Sequence, residues 1–101
     1  MRPRSMIRIH RRQPVVRLGE RTVKLTEAEH ALMIALGMLD NRLTPHEILL
    51  EFVRDGRAPV PTDKNILSMR MVRLRRKIGS HRLECRKNLG YILVGDVQFY
   101  G

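Results

Sequence analysis

The sequence holds no tryptophan, one cysteine (Cys85) and four aromatic residues in 101: Phe52, Tyr91, Phe99 and Tyr100. A surface that grips single-stranded bases by stacking needs more rings than these. A lone thiol excludes an internal disulfide and fits a reducing compartment. Cys85 itself is expected to be a buried or half-buried strand residue. No apolar run approaches the roughly 18 residues of a membrane span, and no hydrophobic stretch follows the basic N-terminus as it would in a signal peptide. The expectation is a soluble, cytoplasmic chain with no membrane partner. His10, His30, His46 and His81 are scattered and show no metal-ligand spacing with Cys85 or the carboxylates. A glycine-rich phosphate loop is missing, and no nucleophile and base can be paired. The reading is therefore no enzyme, with no catalytic residue, metal or cofactor. Pro and Gly are dispersed rather than clustered, which leaves no low-complexity linker and no internal repeat. The length fits one domain with a modest core and no staples.

Acid is scarce too: 20 Lys and Arg stand against 10 Asp and Glu, giving a formal net charge of +10 and a pI near 11.2. Such an excess implies a polyanionic partner, and its distribution says more than its total. Residues 1–12 carry Arg2, Arg4, Arg8, Arg11 and Arg12 without an acid, and residues 64–87 carry nine basic residues against the single acid Glu84. Residues 26–63 reverse the sign, with three basic and seven acidic side chains. Segregated charge is what one face on nucleic acid and another turned away would require. Arginine outnumbers lysine sixteen to four, and guanidinium suits bidentate contacts to phosphate and to guanine edges.

Met6-Ile7-Arg8-Ile9-His10, Pro14-Val15-Val16-Arg17-Leu18 and Thr22-Val23-Lys24-Leu25 are short segments rich in β-branched residues and read as strands. The last two form a hairpin around Gly19-Glu20-Arg21. Thr26-Glu27-Ala28-Glu29 is a capping box opening a helix, whose apolar stripe is Ala28, Ala31, Leu32, Ala35, Leu36 and Leu39 and whose end is Asp40-Asn41. Thr44-Pro45-His46-Glu47 repeats the device and opens a second helix through Ile48, Leu49, Phe52 and Val53. Residues 55–62, DGRAPVPT, make a loop that begins at Asp55 and is stiffened by Pro59 and Pro61. Thr62 or Asp63 then caps a third helix ending at Gly79. Two strands around a turn at Asn88 close the pattern over residues 82–94.

The third helix is the most informative segment. At about 100° per residue, Leu67, Met71, Leu74 and Ile78 fall on one narrow stripe. The opposite side carries Asn65, Ser68, Met69, Val72, Arg73 and Arg76, and Arg70, Arg75 and Lys77 sit on the flanks, in reach of phosphates beside a groove. A solvated basic face is the plain alternative.

The element order is that of a winged helix-turn-helix, an α+β fold with an N-terminal antiparallel sheet, three helices and a C-terminal hairpin wing. Leu25-Thr26 with Glu29, Thr44 with Glu47, residues 71–78 (MVRLRRKI) and residues 87–91 (KNLGY) resemble, in order and spacing, the motifs of the OmpR/PhoB-type DNA-binding domain. The resemblance covers about residues 15–94. It implies a stand-alone transcriptional regulator that binds double-stranded DNA sequence-specifically, with the third helix in the major groove and the wing on the adjacent minor groove or phosphates. By the resemblance Arg73 matches a base-reading position, Arg70 and Arg75 match backbone-contacting ones, and Lys87 matches the wing arginine. Arg86 and Asn88 join it at the wing. The loop from Asp55 to Thr62 matches one that can face RNA polymerase, and homodimeric or tandem binding on DNA is expected. Three departures stand out: no receiver domain is expected beside this one, Asn88 replaces the usual wing glycine, and Met69 and Val72 stand where polar residues are frequent. Those two can meet thymine methyls, form a protein-binding patch, or simply be exposed. The division read from sequence is a basic arm and first strand (1–12), the winged domain (13–95) and a tail (96–101). Rival functions are a protein-binding winged helix acting on another regulator or on RNA polymerase, and a basic RNA-binding protein.

Overall fold

The computed structural model describes residues 6–39 and 41–101. The expected arm at residues 1–5, and Asp40 at the expected end of the first helix, lie outside the described residues. In chain order the elements are β1 (Met6–His10), β2 (Val15–Leu18), β3 (Arg21–Lys24), α1 (Glu27–Met38), β4 (Leu43–Pro45), α2 (His46–Arg54), α3 (Asp63–Ile78), β5 (Leu83–Arg86), β6 (Gly90–Leu93) and β7 (Asp96–Tyr100). They form three helices between a four-stranded sheet, ordered β3-β2-β1-β7, and a three-stranded one, ordered β4-β6-β5.

The hairpin expected at the N-terminal end is present, with β2 and β3 in register from Val15↔Lys24 to Leu18↔Arg21 and Gly19 at φ 64° in the turn. β1 lies antiparallel to β2 and sets Ile7 and Ile9 opposite Leu18 and Val16, all four buried. The segment read as a tail is instead a strand. β7 runs parallel to β1, with Val97 beside Ile7 and Phe99 beside Ile9, so the sheet is mixed rather than purely antiparallel. Alternation explains it: Val97 and Phe99 are two apart, point to the helical side and pack on the core. α1 crosses this part of the sheet so closely that a Cβ at Gly37 would lie 2.7 Å from Ile9 Cδ1 and 3.0 Å from Phe99 Cζ.

The first capping box forms as its sequence demands. The Glu29 amide donates to Thr26 Oγ1 at 3.1 Å, and the Thr26 amide donates to Glu29 Oε1 at 2.8 Å. The second does not form. Thr44 and Pro45 belong to β4, paired with Tyr91 and Gly90 of β6, and the residue capping α2 is Pro45, with no side-chain cap bond. The His46 amide donates to the Leu89 carbonyl at 3.1 Å instead. Neither Thr62 nor Asp63 caps α3 with its side chain, because the Asp63 carboxylate is turned back onto the preceding loop. Helix faces also shift by a residue or so. α1 buries Glu29, His30, Leu32, Met33, Ala35, Leu36 and Gly37, leaving Ala28, Ala31 and Leu39 half-buried. α2 buries Leu49, Leu50 and Val53, while Ile48 and Phe52, two of the apolar residues that trace it in the sequence, are exposed.

α3 behaves as its periodicity requires: Leu67, Met71, Leu74 and Ile78 are all buried in one cluster with the α1, α2 and sheet residues. It stops at Gly79, whose φ of 100° excludes a further helical turn for an ordinary residue. The hairpin follows, turning where Asn88 adopts φ 63°; Asn tolerates this left-handed conformation at modest cost. Cys85, expected to be buried or half-buried, is exposed. β5 is an edge strand that buries only Leu83.

Candidate nucleic-acid interface

With its apolar stripe against the core, α3 turns Asn65, Ser68, Met69, Val72, Arg73 and Arg76 outward, all exposed. These six residues cover three turns of one face, since positions three and four apart stack along a helix. Among the described residues Arg73 and Arg76 have no hydrogen-bond or ion-pair partner. Both guanidiniums are thus available to a ligand.

The remaining basic residues of the helix divide differently. Arg70 is half-buried on the flank toward α1 and α2, where it lines a groove with Glu27, Glu51, Phe52 and Asp55. Arg75 donates from Nε to the Leu83 carbonyl at 3.1 Å, tying α3 to the first strand of the hairpin. Lys77 Nζ lies 2.6 Å from Glu29 Oε1 and 3.3 Å from the Lys24 carbonyl. Arg75 and Lys77, assigned by sequence to the phosphates beside a groove, are thus each bonded to acceptors on other elements of the protein. The acceptors that hold them come from other elements. Burial alone would raise the Glu29 carboxyl above its ordinary value, but the bonds from Lys77 and from the Thr26 amide outweigh it and leave the group lowered.

The hairpin meets α3 at two places. Asn88 at its tip shares a concavity of about 280 Å³ with Ser68, Lys64 and Leu67 of α3 and with His46 and Leu50 of α2. Farther down, the largely buried Tyr91 lies with its hydroxyl between Ser68 and Cys85. Burial pushes its ionisation up, and the neighbouring thiol adds to the effect. Arg86 and Lys87 are exposed on the hairpin, and Arg86 pairs at 3.0 Å with the equally exposed Glu84. Such a surface pair contributes little and is readily exchanged for another anion. Two residues on this face escaped the sequence reading. Lys64 stands one turn before Ser68 and carries a charge on the same side, a relation that i, i+4 spacing could have revealed. His46 could not have been found, because its place depends on Leu89.

The loop of residues 55–62 is held from its far end. Asp63, 1% exposed, accepts from the Val60 amide at 2.9 Å, from Arg57 Nη2 at 2.7 Å and from Arg54 Nε at 3.0 Å. The Val60 amide and then the two guanidiniums hold its carboxyl well below the usual carboxylate range. The loop is thereby fixed with Val60 exposed. Among the described residues no cluster of three His, Cys, Asp or Glu could hold a metal ion, and no helix is long and apolar enough to cross a membrane.

No protein-family model matches the sequence, and no curated protein matches it either. Solved structures do. The chain is similar to the C-terminal domain of the nisin resistance regulator NsrR, a lantibiotic response regulator, at TM-score 0.67 and 24% identity over 92% of each chain. It is also similar to the Klebsiella pneumoniae RstA DNA-binding domain, solved in complex with the RstA box, at TM-score 0.65 and 24% identity over 79% of this chain and 82% of that one. The shared architecture is the winged-helix arrangement of three helices and two sheets described above. At this identity the likeness establishes the fold.

Proposed function

We propose that this chain is a transcriptional regulator that binds double-stranded DNA in a sequence-selective way, with α3 in the major groove and the hairpin as a wing on the adjacent minor groove or its phosphates. One observation carries the reading: the outward face of α3, with two arginines that have no partner among the described residues, runs into the concavity that Ser68 and Lys64 share with Asn88 at the hairpin tip. Carboxylates gather elsewhere, in the groove of Glu27, Glu51 and Asp55. A helix with this charge, side by side with a basic hairpin, suits a duplex better than a flat partner.

The residues divide by task. Asn65, Ser68, Met69, Arg73 and Arg76 face base edges, and Val72 lies among them. Lys64, Arg86, Lys87 and Asn88 lie where phosphates flank the groove. Arg70 contributes long-range charge from the flank, and Arg75 and Lys77 hold α3 in place. Phosphate contacts supply most of the affinity and base contacts the selectivity. The site of action is the cytoplasm, where a chromosome is accessible.

Selection from a random duplex library at roughly 0.15 M salt, where non-specific phosphate binding is suppressed, tests this. An enriched motif is expected. Binding that vanishes with salt and enriches nothing would overturn the reading. One winged helix covers a short site, so pairing of two copies on DNA belongs to the same proposal and should emerge as a repeated half-site. The loop of residues 55–62 is proposed to face RNA polymerase. What supports this is its rigidity around Asp63 and the exposed Val60 at its crest. Val60→Asp should then lower promoter output in a purified transcription assay and leave DNA affinity unchanged; equal output would remove the polymerase contact.

A further inference from the structure

Met69 and Val72 are 57% and 47% exposed in the middle of the outward face of α3. They border a shallow depression of about 270 Å³ with Ser68, Arg73 and Arg76. Neither packs on the core, and a helix that only gripped phosphates would have no use for an apolar pair at this point. The spacing is informative. Residues three apart are separated by about 4.5 Å along a helix axis, between the roughly 3.4 Å of one base step along a strand and the roughly 6.8 Å of two. Arg73 follows Met69 by four residues and Arg76 follows Val72 by four, so each apolar side chain has an exposed guanidinium one turn further on. Among base edges in the major groove, the apolar group is the 5-methyl of thymine, and the best partner of a guanidinium is the O6/N7 edge of guanine.

We infer that Met69 and Val72 read thymine methyl groups, so that the selected half-site carries two thymines on adjacent or next-adjacent base pairs with guanine beside them. This deepens the DNA-binding reading and rests on it. An apolar protein partner fits the patch less well. Two side chains give it little area, and closing over them would also strip water from Arg73 and Arg76 without offering an acceptor. Thymine supplies the methyl and the neighbouring guanine supplies the acceptors in the same groove.

The test begins with the site recovered by selection and replaces each thymine in turn with deoxyuridine, which removes only the methyl group. Burial of one methyl predicts a loss of about fourfold in affinity at each of two positions. Met69→Ala should bind the unmodified site more weakly and become insensitive to the uracil at one position, and Val72→Ala should do the same at the other. Met69→Leu should keep the response. Both side chains are exposed, so the variants should melt with the wild type. A selected site in which every thymine tolerates uracil, or equal sensitivity of the alanine variants and the wild type, would overturn this inference alone. Failure to enrich any sequence would overturn it together with the reading beneath it.

Discussion

Arg73 and Arg76 differ from Arg75 and Lys77 by one or two positions in one helix, yet the first pair faces solvent without a partner among the described residues and the second is bonded into the protein. Helical rotation accounts for part of the difference, since each step of about 100° carries a side chain to another face. The rest lies in the surroundings. Leu83 offers Arg75 a carbonyl, and Glu29 offers Lys77 a carboxylate that already caps α1. A basic run is thus not one feature. Its members meet the different acceptors that tertiary structure brings near, and two of the four are bonded to other elements of the fold.

The most severe break in this comparison comes from beneath it. Leu74 lies within the same run, directly after Arg73, and is fully buried, and Leu74→Ala should cost about 2–5 kcal/mol of stability in urea unfolding, with both pairs losing their positions. Arg73→Ala should instead leave stability alone, cost about 1–3 kcal/mol in binding to the selected site, and relax the preference at one base pair. An unchanged preference would remove Arg73 from the groove. Arg75→Ala should act on the other side of the comparison. Loss of a charged donor to the Leu83 carbonyl should lower stability by about 1–2 kcal/mol and speed amide exchange in β5, while affinity falls alike for every sequence.

The smallest effect is expected from Lys77→Met, up to about 1 kcal/mol near neutral pH, because the Lys77 end of the pair is partly solvated. Its pH dependence is more telling. The folded Glu29 carboxyl lies below its ordinary value of 4.5, so its contribution is present above that value and is lost as pH falls through the folded pKa. Without Lys77 the burial that opposes ionisation gains weight, and the acid-side loss should begin at higher pH. Urea midpoints between pH 3 and 7 would show it; superimposable profiles for variant and wild type would mean that Lys77 does not hold the carboxylate.

What the sequence made legible was whatever local chemistry decides. The stripe of Leu67, Met71, Leu74 and Ile78 follows from helical period alone, the Thr26-Glu29 box from four consecutive residues, and the turn at Asn88 from what that residue tolerates. Thr44-Pro45-His46-Glu47 carries the same local signature as the first box and fails because β6 takes Thr44 and Pro45 into a strand. β7 carries a readable alternation of Val97 and Phe99, but its place in the sheet was not legible, since its partner β1 lies ninety positions earlier. The exposed face of α3 could be read from period, but Arg75 and Lys77 could not be separated from Arg73 and Arg76, because their acceptors lie on β5, α1 and β3.

The pairing of β7 with β1 also bears on how the chain reaches this state. Met6 faces Asp96, ninety positions later, so among the described residues the longest loop is closed by β7. Entropy charges little more for ninety residues than for forty-five, but contacts so distant in sequence form slowly. The helices and the C-terminal hairpin can collapse through nearer contacts while β1 waits with one edge unpaired. During that interval another chain can supply the missing strand. Refolding yield should therefore fall as protein concentration rises, with the damage set by the N-terminal sheet rather than by α3.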